Sequence, residues 1–152
     1  MFKQIADENP IAEVILSAFD AKLPVSGAWG YKQTEATIIN GYDNTSPVQL
    51  EHMLASMRTF LEMNMMLPEE ERYGSINLNE TSREHIEDRG KHYDKVLYEI
   101  TAINEKIYAG FIKEYKEGYG KDSFDMEDHF KRRKAATLTR IVEYWFDTTK
   151  IV

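Results

Sequence analysis

The sequence predicts an α+β domain, mostly helical with a small antiparallel sheet; an all-α bundle is the alternative. Three observations carry that expectation. Ser46-Pro47-Val48-Gln49 is a capping box with proline at the first helical position, the sharpest helix start in the chain. Residues 83–101 read as a hairpin turning at Arg89-Gly90. From Asp122 onward the chain opens with acids, turns basic at Lys131, Arg132, Arg133 and Lys134, then becomes apolar and aromatic. Phe130, Leu138, Ile141 and Trp145 recur there at three- and four-residue steps, which predicts one amphipathic helix capped by Asp122 or Ser123 and running through Trp145.

The other elements follow in order. Asn9-Pro10 predicts a cap and first helical residue, opening a helix to about Ala21 with Ile11, Val14, Ile15, Ala18 and Phe19 on its buried stripe. One or two strands are expected over residues 23–43, where glycines flank Trp29 and Ala36-Thr37-Ile38-Ile39 is closed by Asn40-Gly41. The helix begun at Ser46 places Leu50, Met53, Leu54, Met57, Phe60 and Leu61 on one face and stops before Pro68. Asn104 is the expected cap of a further helix ended by Gly118-Tyr119-Gly120.

Two folds compete for residues 73–115. A continuous helix keeps Val96, Ile100, Ile103, Ile107 and Phe111 at helical spacing, but it places Gly90 in its interior at about 1 kcal/mol relative to alanine. With Arg89-Gly90 as a two-residue loop, Asp88 faces Lys91, Glu87 faces His92, Ile86 faces Tyr93, His85 faces Asp94 and Glu84 faces Lys95. All but one of these rungs join groups of opposite or potentially opposite charge, which cross-strand pairing favours. The hairpin is therefore the expectation.

A chain of 152 residues with 42% hydrophobic content suits one globular domain over residues 1–152. Its formal net charge of -7 repels phosphate, which argues against nucleic acid as a partner. No long apolar run predicts a membrane span, and acids stand where a signal peptide needs apolar residues. With no cysteine, disulfides and thiolate chemistry are excluded, and a cytoplasmic location is the expectation. No cofactor fingerprint is present, so none is expected.

Four groups of residues could carry chemistry. The first is His85, His92, Asp94 and His129 as catalytic candidates, with His85, Asp88 and His92 as a candidate metal set. Imidazole beside carboxylate can ligate a transition metal or act as a general base, although surface histidines among solvated acids have the same spacing. The second is the acidic pairs Glu84/Glu87 and Asp122/Asp125, which suit magnesium only if each pair shares a face; on a strand, Glu84 and Glu87 point apart. The third is the basic cluster Lys131, Arg132 and Arg133, a docking patch or else a solvated face balancing the acids before it. The fourth is Trp29 and Tyr31 between glycines, a stacking platform or else a core plug beside a tight bend.

No nucleophile elbow or phosphate loop is present. The expected function is a small acidic protein-binding module of the chaperone, immunity or adaptor type, without a catalytic site. A small metal-assisted hydrolase using the His/Asp set is the alternative. A protein partner, a homodimer or both are expected, with Tyr108, Tyr119, Tyr144 and Phe146 at the interface because each falls off its helix's main apolar stripe.

Overall fold

The hairpin exists, in the register that charge pairing predicts. In the computed structural model, which describes residues 2–6 and 8–152, a strand over Tyr73–Asp88 pairs antiparallel with one over Lys91–Asn104, matching Asp88 with Lys91, His85 with Asp94 and Glu84 with Lys95. Arg89 and Gly90 both have positive φ, 53° and 79°, the pattern of a two-residue turn whose twist matches that of its strands. Short strands over Val25–Gly27 and Thr37–Ile39, and a last one over Leu138–Asp147, complete the sheet. Numbered β1 to β5 along the chain, the strands lie in the order β1-β2-β5-β4-β3. Every neighbouring pair is antiparallel except β2 with β5.

This corrects the expectation of a mostly helical domain with a small antiparallel sheet. The α+β label fits, but the sheet is five-stranded and mixed, with 39% of the chain helical and 31% in strands. The main error lies after residue 136. The C-terminal helix stops at Ala136 and β5 follows. Leu138, Ile141 and Trp145 do recur at helical steps, but Leu138, Arg140, Val142, Tyr144 and Phe146 share one sheet face and alternate with Thr139, Ile141, Glu143 and Trp145 on the other. The segment is rich in β-branched and aromatic residues, and an adjacent strand is there to pair with it.

One sheet face carries the core. Helix α1, Ile11–Phe19, and helix α2, Pro47–Phe60, lay Ile11, Ile15, Leu50 and Leu54 against Val25, Ile39, Val96, Tyr98, Tyr144 and Phe146. The α1 cap is Pro10 rather than Asn9, while α2 begins with the predicted capping box between Ser46 and Gln49. A π-helical turn, Leu61–Met65, extends α2. Gly30, at φ 78°, lets the chain pass against the Tyr144 ring, where a Cβ would lie 2.2 Å from ring carbons. The neighbouring Trp29 is 5% exposed and plugs the core. The opposite sheet face is bare at its centre: Ile141 stays 66% exposed although β5 is the middle strand.

Two further helices, α3 over Glu105–Gly118 and α4 over Met126–Ala136, connect β4 to β5. Asn104 caps α3 by accepting from the amides of Lys106 and Ile107, and Asp125 caps α4 by accepting from Asp128. No helix among the described residues is long and apolar enough to cross a membrane.

Two tests follow from this geometry. Gly90→Ala should destabilise by about 1 kcal/mol through left-handed backbone strain alone, since nothing lies within 4 Å of the added Cβ. Arg89→Asn should stabilise slightly for the same reason, and denaturant midpoints of the two variants check both signs. Deleting residues 136–152 removes the strand that joins β2 to β4 and should abolish cooperative melting; a truncated chain with an unchanged transition would contradict the topology.

Candidate functional site

The hairpin register gathers the histidine cluster. His85 and Asp94 are cross-strand partners, and His92 is the partner of Glu87, two residues along the same face. His85 Nδ1 lies 2.9 Å from Asp94 Oδ1, and its Nε2 lies 3.0 Å from His92 Nδ1. The two imidazole centroids are 5.3 Å apart, close to that N···N distance plus two ring radii, so the contact is near linear. A linear contact shares a proton; a metal would need the two lone pairs to converge at an angle. Among the described residues no three His, Cys, Asp or Glu side chains are placed to hold a metal ion.

The two other members of the predicted sets lie elsewhere. Asp88 pairs with Lys91 on the opposite sheet face, where it accepts from Gln33 Nε2 at 2.8 Å. His129 is fully buried on α4, with Nδ1 3.1 Å from Glu114 and the rings of Phe111, Tyr115, Phe124 and Phe130 around it. It is the plug of the α3–α4 pair. The acidic pairs share no site either: Glu84 and Glu87 fall on opposite sheet faces, and Asp125 caps α4.

Behind Asp94 lies a group that the sequence did not reveal. Glu51, in the second turn of α2, is fully buried. Its Oε1 accepts from Arg83 at 2.6 Å, and Arg83 also reaches Glu80 at 2.7 Å and Asp94 at 3.4 Å. Burial pushes the Glu51 carboxyl up to about 8, a hydrogen bond with Asp94 adds to the shift, and Arg83 pulls the other way. Glu51 Oε2 is buried without a hydrogen-bond partner, and Arg83 is the group that reaches both Glu51 and Asp94. Glu51, Arg83, Asp94, His85 and His92 thus form one hydrogen-bonded series from the core to the surface. With the Glu51 carboxyl raised to about 8, the inner end is mostly protonated at neutral pH.

A second buried charge group ties α2 to the rest of the core. The Arg58 guanidinium lies between the rings of Tyr31 and Tyr144, with centroids at 4.5 and 4.3 Å. It donates to the backbone oxygens of Trp29 at 3.0 Å and Glu143 at 2.7 Å. Glu62 accepts from the Tyr31 hydroxyl at 2.5 Å and from Arg140 at 3.1 Å. Burial, then the bond to Glu62, raises the Tyr31 hydroxyl above its ordinary pKa. Tyr31 is therefore half-buried and engaged, not a free stacking platform. A cleft of about 580 Å³ beside Glu62 is lined by Phe2, Lys3, Met66, Leu67 and Tyr73 and rimmed by Glu70 and Glu71.

Residues 51, 54, 55, 58 and 62 form one stripe of α2 and its extension, so Glu51, Arg58 and Glu62 are charges set among apolar positions. That was the available signal. The predicted stripe instead included Met53 and Phe60, which are 36% and 39% exposed.

The basic cluster divides by partner. Arg132 pairs with Glu114 and Asp128, and the hydrogen bonds of Glu114 with Arg132 and then His129 hold its carboxyl at about 2. Arg133 lies over the rings of Tyr108 and Phe130, while Lys131 is exposed. Phe146 and Tyr144 correct the predicted interface. Both are fully buried, their rings stacked 4.2 Å apart, because strand geometry turns them into the core. Tyr119 is 64% exposed and Tyr108 half-buried. Compared with known proteins, the chain matches no family model, no curated protein and no solved structure.

The raised Glu51 carboxyl has a signed consequence. Stability linked to its proton is complete below its ordinary pKa of 4.5 and is lost as pH rises through about 8. The melting temperature should fall across that window by a few degrees. Glu51→Gln, which keeps an acceptor for Arg83 and cannot ionise, should flatten the fall. A pH profile identical in the two proteins would assign the dependence elsewhere.

Proposed function

We propose that the chain is a protein-binding module, of the chaperone, immunity or adaptor kind, that docks its partner through the α3–α4 pair. One observation carries this reading. Adjacent antiparallel strands such as β4 and β5 can be joined by a tight turn, yet the chain places two helices between them. No side chain of α3 is buried, and His129 is the one buried side chain of α4. Ile107, Tyr119, Met126 and Phe130 stay 50%, 64%, 42% and 45% exposed. Such residues are enriched where protein surfaces meet. The aromatic packing around His129 keeps the pair ordered, and preorganisation reduces the entropy lost on binding.

The bare sheet face supports docking less well. Its Trp145 is already covered by Lys95, which also pairs with Glu143 at 3.5 Å, and its remaining positions are mostly polar. Histidine-assisted hydrolysis is the second reading, favoured by the convergence of His85, Asp94 and His92. The cleft beside Glu62 is not lined by these residues, which weighs against that reading. A second copy of the chain is one possible occupant of the α3–α4 surface, which moves the homodimer expectation away from Phe146.

Affinity capture from extract of the encoding organism, with light scattering of the purified chain, provides the test. A defined protein, or a dimer, should be retained by the native chain and by Ile141→Glu, and lost in the double variant Ile107→Glu, Phe130→Glu. Identical behaviour of all three proteins would sink the reading.

A further inference from the structure

The outward side of α3 has a specific shape and charge. Tyr108, Ile112 and Lys116 stand at four-residue steps, the ridge by which helices pack on one another. With Ala109 they line a shallow groove of about 590 Å³, flanked by Lys113 and Lys116 and by the single acid Glu117. Arg133 of α4 lies over Tyr108, 5.4 Å from its ring centroid, and adds a third cation to this side. The contrast with the rest of the molecule is large. Residues 105–137 hold eight Lys or Arg and seven Asp or Glu out of chain totals of 19 and 26, which makes this segment +1 and leaves the remainder at −8.

Resting on the protein-binding reading, we infer that the α3 groove receives an acidic amphipathic helix. Apolar residues of the partner, spaced i, i+3, i+4 and i+7, fill the space over Ala109 between Tyr108 and Ile112. Carboxylates on the partner's flanks meet Lys113, Lys116 and Arg133. Helix α3 has 14 residues, about 21 Å of axis, which matches a partner of roughly four turns. An extended strand fits poorly, because α3 offers no free backbone ladder and the groove follows a helical ridge. A basic helix would meet like charge.

Two synthetic helical peptides of about four turns serve as probes, with leucine on the apolar stripe and either glutamate or lysine on the flanks. Each is titrated into the full chain by fluorescence anisotropy, with amide NMR shifts mapping the site. The glutamate peptide should bind and perturb residues 108–117, and the lysine peptide should not. In the double variant Lys113→Glu, Lys116→Glu, whose substituted side chains are exposed, the glutamate peptide should weaken about tenfold or more and the lysine peptide should gain affinity. The inference is overturned if the glutamate peptide fails to bind, if it binds both proteins equally, or if its shifts centre on Ile141. If capture by Ile107 and Phe130 still holds in those cases, the partner is of another class; if capture fails too, the protein-binding reading falls with it.

Discussion

Arg58 is the constraint on which the arrangement depends. A guanidinium 2% exposed cannot be left unpaired, since an uncompensated buried charge costs several kcal/mol. Its partners come from three separate parts of the chain: the loop at Trp29, the backbone of β5 at Glu143, and Glu62 in the π-helical turn. Satisfying Arg58 therefore fixes the height of α2 over the sheet and the approach of the loop carrying Tyr31. The aromatic rings above and below it set its plane. The π-helical turn then carries the chain from this buried pair towards Asn64, which bonds Tyr73 and Glu105 at the foot of the hairpin.

The two ends of α2 treat charge differently. Around Arg58 and Glu62 the positive and negative groups complement one another through direct contacts. Around Glu51 three carboxyl groups, those of Glu51, Glu80 and Asp94, share the Arg83 guanidinium, and the excess is relieved by a proton on Glu51. The second arrangement, with its carboxyl raised to about 8, responds to pH near neutrality. The same helix thus has a charge-paired anchor at one end and a pH-dependent one at the other. The pH-dependent end reaches solvent through His85, whose side chain is about half exposed.

Much of the fold was legible where local chemistry and global pairing agreed. The hairpin could be read because Asp88, Glu87, His85 and Glu84 each face a complementary group across a two-residue turn at Arg89-Gly90. The convergence of His85 with Asp94 came with it. The α2 start was written in four residues, and Asn104 announced α3. β5 was hidden because Leu138, Ile141 and Trp145 satisfy a helical period by coincidence, and the strands that claim the segment are far away in sequence. Glu51 was hidden for another reason: a carboxyl looks solvated until the helix face carrying it is known. Arg58 and Glu62, four residues apart, resemble an ordinary surface pair on the same grounds.

The position of β5 also governs the order in which the molecule can be assembled during synthesis. β1 and β2 are made early, β3 and β4 follow, and the strand that unites them emerges last. Until Asp147 has cleared the ribosome, β2 and β4 each present an open edge, and Tyr98, Val96 and Ile39 lack part of their cover. The nascent chain therefore passes through a stage in which a finished hairpin stands beside an unfinished half-sheet, with two edges able to recruit strands from other chains. The closing step is long-range and cannot begin before β5 has been made.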